Sequence, residues 1–272
     1  MSDTLAGARV ALLEARMESE LASLVRRHGG DPLCVPALRE IERDCAPEVA
    51  RAIDALAPGG ALVVLATGVG LARTLAVADA LSRGKALRDG LARATIVCRG
   101  PKPVAVLKRE ALPVHIRAEP PHTTRELLLA LDAVPVADRD AIVIHDGGAG
   151  PAVPDALARR GARVLEVKPY AWALPEDTAP LRDLVHRIID GRVDAVAFTT
   201  QVQAMHLFAI AHTMGLRDAL AAALRARTLV AAVGPTCARA LEDLGAPPHV
   251  VPEQGNMGAM IVALTRKLTA AP

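Results

Sequence analysis

Short runs of β-branched and other apolar residues alternate along the chain with longer segments rich in alanine and leucine. The longer segments have the period of helices, and this alternation is typical of parallel strands covered by helices on both faces. The pattern predicts strands beginning near Arg9, Leu33, Leu62, Thr95 and His115, and a second series beginning near Ala141, Val164, Ala195, Leu229 and His249. We therefore expect an α/β protein with doubly wound parallel sheets.

The two series of strands form a repeat with a nearly constant offset of about 132 to 134 residues. Gly100-Pro101, followed by His115, is matched in register by Gly234-Pro235, followed by His249. The repeat predicts two flavodoxin-like copies, each with five parallel strands and alternating helices. Because such sheets bind ligands beyond the carboxyl ends of their strands, the loops after the first, third and fourth strands are the predicted binding loops.

Two segments occupy the same place in each copy and run extended for longer than one strand needs. They are Cys34–Glu40 and Glu166–Trp172, and each contains a proline. We interpret them as semi-rigid crossings between two bodies. Tyr170 and Trp172 lie two apart on the second crossing, so both side chains should point to one face.

The loops after the third strands are Thr67-Gly68-Val69 in the first copy and Thr199-Thr200-Gln201 in the second. Each opens a helix, where a hydroxyl and free backbone N–H groups form an anion site that the helix dipole stabilises by about 0.3–1 kcal/mol. The alternative is that Thr67 and Thr199 merely cap their helices. The presence of the motif in both copies favours binding.

The loops after the fourth strands are Arg99-Gly100-Pro101-Lys102 and Gly234-Pro235-Thr236. Proline suits the first helical position, and glycine allows close approach of a ligand to the backbone. Arg99 and Lys102 add positive charge to the first copy. A plain helix start with no ligand remains the alternative.

The loops after the first strands are Glu14-Ala15-Arg16 and His145-Asp146-Gly147-Gly148. Arg16 could bind a carboxylate in a bidentate manner. A metal site or charge relay at His145 is disfavoured, because no serine or cysteine nucleophile and no third ligand follow at useful spacing. We expect a glycine-rich binding loop that includes His145, Gly147 and Gly148.

Composition excludes several classes of function. The net charge of +2 and the presence of only four aromatic residues argue against nucleic-acid binding. No run of about eighteen apolar residues predicts a membrane span, and the N-terminal sequence does not predict a signal peptide, so we expect a cytoplasmic protein. Four cysteines without metal-ligand or redox spacing are expected to be buried thiols rather than disulfides.

A partial dinucleotide motif, Gly68-x-Gly70-x-x-Arg73, has arginine where the third glycine would allow close helix packing. It also follows the third strand of its copy rather than the first. This makes a nicotinamide cofactor, and therefore a dehydrogenase, an unfavourable hypothesis. No Walker or zinc motif is apparent either.

Nearly the whole chain resembles the uroporphyrinogen-III synthase family, which closes hydroxymethylbilane with inversion of its last pyrrole ring. The resemblance is carried by residues 9–16, 65–70, 164–170, 193–200 and 230–241. It implies two flavodoxin-like domains joined by a two-stranded β-ladder. One domain would be discontinuous, comprising residues 1–36 and 172–272; residues 40–167 would form the inserted domain, and residues 37–39 and 168–171 the connectors.

The resemblance further implies a linear tetrapyrrole polycarboxylate held in a cleft by backbone amides and hydroxyls, without metal or prosthetic group. Tyr170 matches the family tyrosine proposed to assist loss of the hydroxymethyl oxygen, and the matches to binding-loop positions are Thr67, Thr199, Thr200 and Thr236. The loop 199–201 departs from the serine-containing family loop, and His145-Asp146 replaces a common Arg-Gly. A monomer is expected. The alternative function is a non-catalytic module that senses a tetrapyrrole or another small molecule.

Overall fold

A computed structural model describes residues 4–148 and 150–269 of the chain. The chain divides into two compact units. Unit 1 combines the two ends of the chain, up to Arg39 and from Ala173 onward, and unit 2 is Glu40–Trp172. Residues 37–39 therefore end the first segment of unit 1, and residues 168–171 lie in unit 2 just before the chain returns to unit 1.

The elements follow one another as the alternating sequence pattern predicts. Unit 1 begins with β1 (Arg9–Leu12), α1 (Glu18–Arg27) and β2 (Asp31–Cys34), and β3 (Arg39–Glu42) leads into unit 2. Unit 2 continues with α2 (Ala46–Leu56), β4 (Leu62–Leu65), α3 (Gly68–Ala80), α4 (Gly84–Arg93), β5 (Thr95–Cys98), α5 (Pro101–Arg109), β6 (Ile116–Arg117), α6 (Thr124–Asp132), β7 (Asp140–Ile144), α7 (Ala152–Arg159) and β8 (Arg163–Val167). The chain returns through β9 (Tyr170–Ala173) and ends with α8 (Ala179–Ile189), β10 (Ala195–Phe198), α9 (Gln201–Thr213), α10 (Arg217–Ala226), β11 (Leu229–Ala232), α11 (Pro235–Asp243) and α12 (Met257–Thr269).

Each unit is built on one parallel sheet. The strand order is β6-β5-β4-β7-β8 in unit 2 and β11-β10-β1-β2 in unit 1. A parallel bridge between Ala231 and Val250 extends the sheet of unit 1 beyond β11, while β3 and β9 pair as a separate two-stranded sheet. The predicted class, α/β with doubly wound parallel sheets, is confirmed.

Strand pairing shows that the two sequence copies share their strands between the two sheets. In unit 1, β1 and β2 of the first copy share a sheet with β10 and β11 of the second, through the pairing of β1 with β10. In unit 2, β4, β5 and β6 of the first copy share a sheet with β7 and β8 of the second, through the pairing of β4 with β7. The chain leaves unit 1 after its first two strands and returns only after β9, so each sheet is completed by strands from the other copy.

The central strand of unit 2 shows why the strand sequences are continuously apolar. All four residues of β4, Leu62-Val63-Val64-Leu65, are fully buried. Because successive side chains point to opposite faces, Val63 and Leu65 pack in one core cluster and Leu62 and Val64 in another. Helices therefore cover both faces of this sheet.

The repeated histidines complete the sheet edges. Nδ1 of His115 accepts a hydrogen bond from the backbone N–H of Ile96 at 3.1 Å, and Nδ1 of His249 accepts one from Val230 at 3.0 Å. Ile96 and Val230 are fully buried, so each ring satisfies a strand N–H that water cannot reach. The two histidines occupy equivalent positions in the two sequence copies and have the same structural role in the two sheets.

The four cysteines are free thiols. Cys45, Cys98 and Cys237 are buried, and Cys34 is half-buried. Burial raises the pKa of Cys98 and of Cys237 to about 12, so both remain protonated near neutral pH. Within residues 4–148 and 150–269, no helix combines the length and apolar character that crossing a membrane requires.

Candidate functional site

The predicted binding loops meet at the carboxyl edge of each sheet. In unit 2 the neighbouring strands β5, β4 and β7 end at the loops that contain Arg99–Lys102, Thr67–Val69 and His145–Gly148. In unit 1 the neighbouring strands β11, β10 and β1 end at the loops that contain Gly234–Thr236, Thr199–Gln201 and Arg16. Because the strands of each copy are shared between the units, the first-strand loop of one copy adjoins the third- and fourth-strand loops of the other.

Two helix N-termini approach each other closely at the edge of unit 2. A Cβ added to Gly68 would lie 2.7 Å from the carbonyl oxygen of Lys102, so only glycine permits this contact between α3 and α5. Thr67 is the N-cap residue of α3 and makes no side-chain capping hydrogen bond, and Lys102 and Val69 are exposed. The arrangement offers backbone donors, a hydroxyl and a cation to an anionic ligand.

The equivalent helix of unit 1 has a satisfied N-terminus. Thr200 caps α9, and its Oγ1 accepts from the backbone N–H of Gln203 at 3.4 Å. The side chain of Gln203 in turn accepts from the backbone N–H groups of Thr199 at 2.7 Å and Thr200 at 3.3 Å. The residue that caps this helix is therefore Thr200, whereas the capping alternative in the sequence analysis named Thr199.

Glu14 accepts several hydrogen bonds at the edge of unit 1. Its carboxylate accepts from the Thr199 hydroxyl, from Nε2 of Gln203 at 3.3 Å and from the backbone N–H of Arg16 at 3.0 Å. Gln203 also donates to Oγ1 of Thr199 at 2.8 Å and is fully buried. Sequence reasoning did not select Glu14 or Gln203 as site residues, because the link between their loops exists only after β1 and β10 pair.

Arg99 is ion-paired with Asp146 in unit 2. The guanidinium Nη1 lies 2.6 Å from Oδ2 of Asp146, and Oδ1 of the same carboxylate accepts from the backbone N–H of Gly148 at 3.1 Å. Burial alone would raise the pKa of Asp146, but the charge and hydrogen bond of Arg99 outweigh it and hold that pKa below its ordinary value. Arg99 thus shapes the loop 146–148 through this ion pair.

His145 lies inside unit 2 rather than on its surface. Its ring is buried, with Nε2 2.7 Å from Oε2 of Glu166, although this contact does not have the geometry of a hydrogen bond. Nζ of Lys168 lies 3.0 Å from the same oxygen. Burial lowers the pKa of His145 below its ordinary value of 6.5, against the opposing effect of Glu166. The His145 ring therefore lies beside the carboxylate of Glu166 inside unit 2.

Tyr170 packs against the glycine loop after β7. Gly147 has a φ of +82°, and a Cβ there would lie 2.4 Å from Cε2 of Tyr170 and 3.0 Å from Nε1 of Trp172. The two aromatic rings meet edge to face, 5.5 Å apart at 83°, and Trp172 Nε1 donates to the Asp146 carbonyl at 3.2 Å. The loop and the crossing segment therefore form one packed structure, in which Tyr170 is 3% exposed.

Arg73 of α3 also lies against Tyr170. Its Cζ lies over the tyrosine ring, 5.3 Å from the centroid, and its guanidinium pairs with Glu40 of β3. The sequence identified Arg73 only as the residue that interrupts a dinucleotide motif. Because Arg73 and Tyr170 lie far apart in the sequence, no sequence pattern indicated that they are in contact. Among the described residues, no three His, Cys, Asp or Glu side chains are grouped in a way that could hold a metal ion.

Comparison with known proteins relates this architecture to one family. The family model described as uroporphyrinogen-III synthase HemD matches residues 19–262. The chain is 29% identical over 269 residues to the uncharacterized protein YjjA of Bacillus subtilis strain 168, covering 98% of each chain.

Solved structures show the same relationship. The chain is similar to the crystal structure of a mutant uroporphyrinogen III synthase from the extremely thermophilic bacterium Thermus thermophilus, with a TM-score of 0.80 and 31% identity over 97% of this chain and 100% of that one. A second crystal form, of the wild-type Thermus protein, gives a TM-score of 0.63 and 32% identity over 96% and 98% of the two chains.

Proposed function

Because the chain belongs to the uroporphyrinogen-III synthase family, we propose that it cyclises hydroxymethylbilane to uroporphyrinogen III, with inversion of ring D and loss of water. The observation that carries this proposal is the edge of unit 2, where Tyr170 packs on the Gly147 loop beside the N-termini of α3 and α5. This edge combines a phenol, which can act as an acid, with several hydrogen-bond donors for anionic groups. The reaction requires both an acid and binding of the substrate carboxylates.

The chemistry needs an acid and control of geometry. Protonation of the hydroxymethyl oxygen lets the C–O bond break and water leave, and the pyrrole nitrogen lone pair then forms an electrophilic azafulvene. The substituted carbon of the far ring attacks the former hydroxymethyl carbon of the azafulvene and gives a spiro intermediate. This intermediate rearranges and loses a proton to restore the aromatic pyrroles. No electrons are gained or lost, so we propose that the reaction uses no cofactor.

The main task of the protein in this proposal is orientation. A free linear tetrapyrrole closes without inversion, so the chain must be held with ring D turned. Fixing the two reacting ends in contact can supply roughly 7–11 kcal/mol in favourable cases. A proton donor adds a smaller factor, typically about 10²–10⁴ in rate.

Carboxylates on every pyrrole ring would provide the points of attachment. Each charge-assisted hydrogen bond from a hydroxyl or a backbone N–H group is worth about 1.5–3 kcal/mol. In unit 2 we propose contacts from Thr67, Gly68, Val69, Gly100 and Lys102. In unit 1 the proposed donors are Arg16, Gly234 and Thr236, and Pro235, which has no N–H group, is proposed to line the same loop.

Tyr170 is the proposed acid. Its aromatic ring is fixed by Gly147, Trp172 and Arg73, which restricts the positions that its hydroxyl can take. A phenol held in this way can donate its proton to the departing hydroxymethyl oxygen and recover a proton when the rearranged spiro intermediate restores its aromatic pyrrole.

The experiment supplies freshly generated hydroxymethylbilane to the purified protein, oxidises the products and separates the type I and type III isomers. We expect type III to exceed the amount formed without protein. Formation of type I alone would overturn the proposal, and binding of hydroxymethylbilane without turnover would then favour the sensing module.

A variant pair tests the acid. Tyr170→Phe should lower kcat by at least tenfold, while Trp172→Phe, which keeps an aromatic ring in the same cluster and leaves the phenol in place, should retain most activity. Activity of Tyr170→Phe within a few-fold of wild type would remove Tyr170 from the role of acid.

A further inference from the structure

Arg73 and Tyr170 form a cation–π pair within unit 2. The separation of 5.3 Å between Cζ and the ring centroid lies inside the range of about 6 Å in which a guanidinium is attracted to an aromatic face. Arg73 is the sixth residue of α3, the helix that begins beside Thr67, and Tyr170 is the first residue of β9. The pair therefore connects the helix of the proposed anion site to the proposed acid.

The guanidinium is held in place by carboxylates from the strand that pairs with β9. Arg73 contacts Glu40, and its Nη1 lies 3.8 Å from Glu42, both on β3. The Arg73 side chain is 30% exposed, so solvent screens its charge only in part. The ring of Tyr170 also contacts Gly147, and the two contacts together limit its rotation.

The duplicated fold provides an internal comparison. In unit 1 the sixth residue of α9 is His206, whose Nδ1 contacts the Ala37 carbonyl at 2.7 Å. The position that corresponds to Tyr170 on the crossing segment is Leu38, which is 4% exposed. A leucine and one hydrogen bond thus close this corner of the fold in unit 1. At these two positions unit 2 therefore has a cation and a phenol where unit 1 has a histidine and a leucine.

From these observations we propose that Arg73 is a positioning residue, which holds the Tyr170 ring in the orientation needed for proton donation and places positive charge over it. When Tyr170 gives up its proton, the nearby guanidinium favours the resulting phenolate. Glu40 and Glu42 offset part of the positive charge of Arg73. Asp146, in the loop after β7, is already paired with Arg99. The inference rests on the proposed function, because it assigns Arg73 to the same reaction.

Tyr170 is the only tyrosine of the chain and Trp172 the only tryptophan, so both can be observed directly. The near-ultraviolet absorbance of tyrosinate, followed against pH, reports the ionisation of Tyr170 alone. In Arg73→Gln we expect the midpoint to rise by roughly 0.5–1 pH unit, because the cation is lost. Arg73→Lys should shift it less, and His206→Gln, the matched change in unit 1, should leave it unchanged.

Kinetics provide the second readout. Arg73→Gln should lower kcat about tenfold or more with KM within a few-fold of wild type, because Arg73 acts through Tyr170 rather than on the substrate. In a Tyr170→Phe background the same substitution should have little further effect on kcat. Arg73→Lys should recover part of the lost rate.

The outcomes separate this inference from the proposed function. An unchanged tyrosine midpoint in Arg73→Gln, with Trp172 emission showing an intact fold, would overturn the role of Arg73 even if the wild type makes type III product. If Arg73→Gln does not fold, Arg73→Lys decides by its own midpoint and kcat. If the wild type makes no type III product, the proposed function and this catalytic role of Arg73 both fail, whereas a shifted midpoint would still establish the contact.

Discussion

The Thr199 hydroxyl donates a hydrogen bond to the carboxylate of Glu14. Thr67, in the equivalent loop of unit 2, makes no side-chain capping bond to its helix. Both residues follow a central strand and precede a helix, so a linear motif treats them alike. Their hydrogen bonds differ, because the hydroxyl proton of Thr199 is already donated within unit 1.

The first prediction concerns these two threonines. Thr67→Val should raise KM roughly tenfold, since a hydrogen bond to a charged carboxylate is worth at least about 1.4 kcal/mol. Thr199→Val should leave KM nearly unchanged but lower the free energy of unfolding by about 1–3 kcal/mol, because Glu14 and the buried Gln203 lose a hydrogen-bond partner. Steady-state kinetics and urea unfolding measure the two effects.

Serine at each position provides the control, since it keeps the hydroxyl and removes only a methyl group. Thr67→Ser and Thr199→Ser should both stay close to wild type. A rise in KM for Thr199→Val equal to that for Thr67→Val, with no loss of stability, would contradict the assignment.

The second prediction concerns Gly147. Alanine there must adopt a φ of +82° and place its Cβ 2.4 Å from Tyr170. We expect Gly147→Ala to destabilise the protein by about 2–4 kcal/mol, from backbone strain plus overpacking, and to change Trp172 emission. Gly191→Ala has a φ of +71° with nothing within 4 Å, so it isolates the strain, which we expect to cost only about 1–2 kcal/mol. Equal losses in the two variants would show that the ring contact costs nothing.

The third prediction is the pH dependence of stability at His145. Its pKa is lowered in the folded protein from 6.5, so as pH falls through 6.5 the unfolded chain takes up a proton before the folded one. Stability is therefore lost as pH falls below about 6.5, and the loss is complete below the folded pKa. Asp146 and Glu166 also have lowered pKa values, but their contribution is lost only as pH falls from their ordinary values of 3.8 and 4.5.

Substitution isolates the contribution of His145. His145→Gln should flatten the fall in unfolding free energy between about pH 7 and pH 5, measured by urea denaturation at each pH. His212→Gln changes an exposed histidine and should leave the slope as in wild type. A slope equally steep in wild type and His145→Gln would exclude His145 as its source.

The fourth prediction uses the duplicated histidines. His115→Leu and His249→Leu each leave a buried strand N–H group without its acceptor, at Ile96 and Val230. Each should cost about 1–3 kcal/mol of unfolding free energy. Asparagine, whose side-chain oxygen can replace Nδ1 as the acceptor, should recover part of the loss in both units. A rescue confined to one unit would show that the two edges are held differently.

Several features of this protein followed from the sequence alone because they depend on local order. Continuous apolar runs such as Leu62–Leu65 predicted buried parallel strands, and Gly100-Pro101 and Gly234-Pro235 predicted helix starts. The constant offset predicted the duplication, and the family resemblance predicted the family. Strand period, helix period and capping preferences act over a few residues, so a linear pattern reveals them.

Tertiary structure decided which loops and side chains meet. The crossing of the chain after β2 and its return after β9 pair β1 with β10 rather than with β4. No local sequence pattern indicated that this pairing brings Glu14 to Thr199. In unit 2 the pairing of β4 with β5 and β7 brings the loops that carry Arg99 and Asp146 together. The return of the chain through β9 places Tyr170 against Arg73. Contacts of this kind join residues far apart in sequence, and their energies depend on distances that no local period encodes.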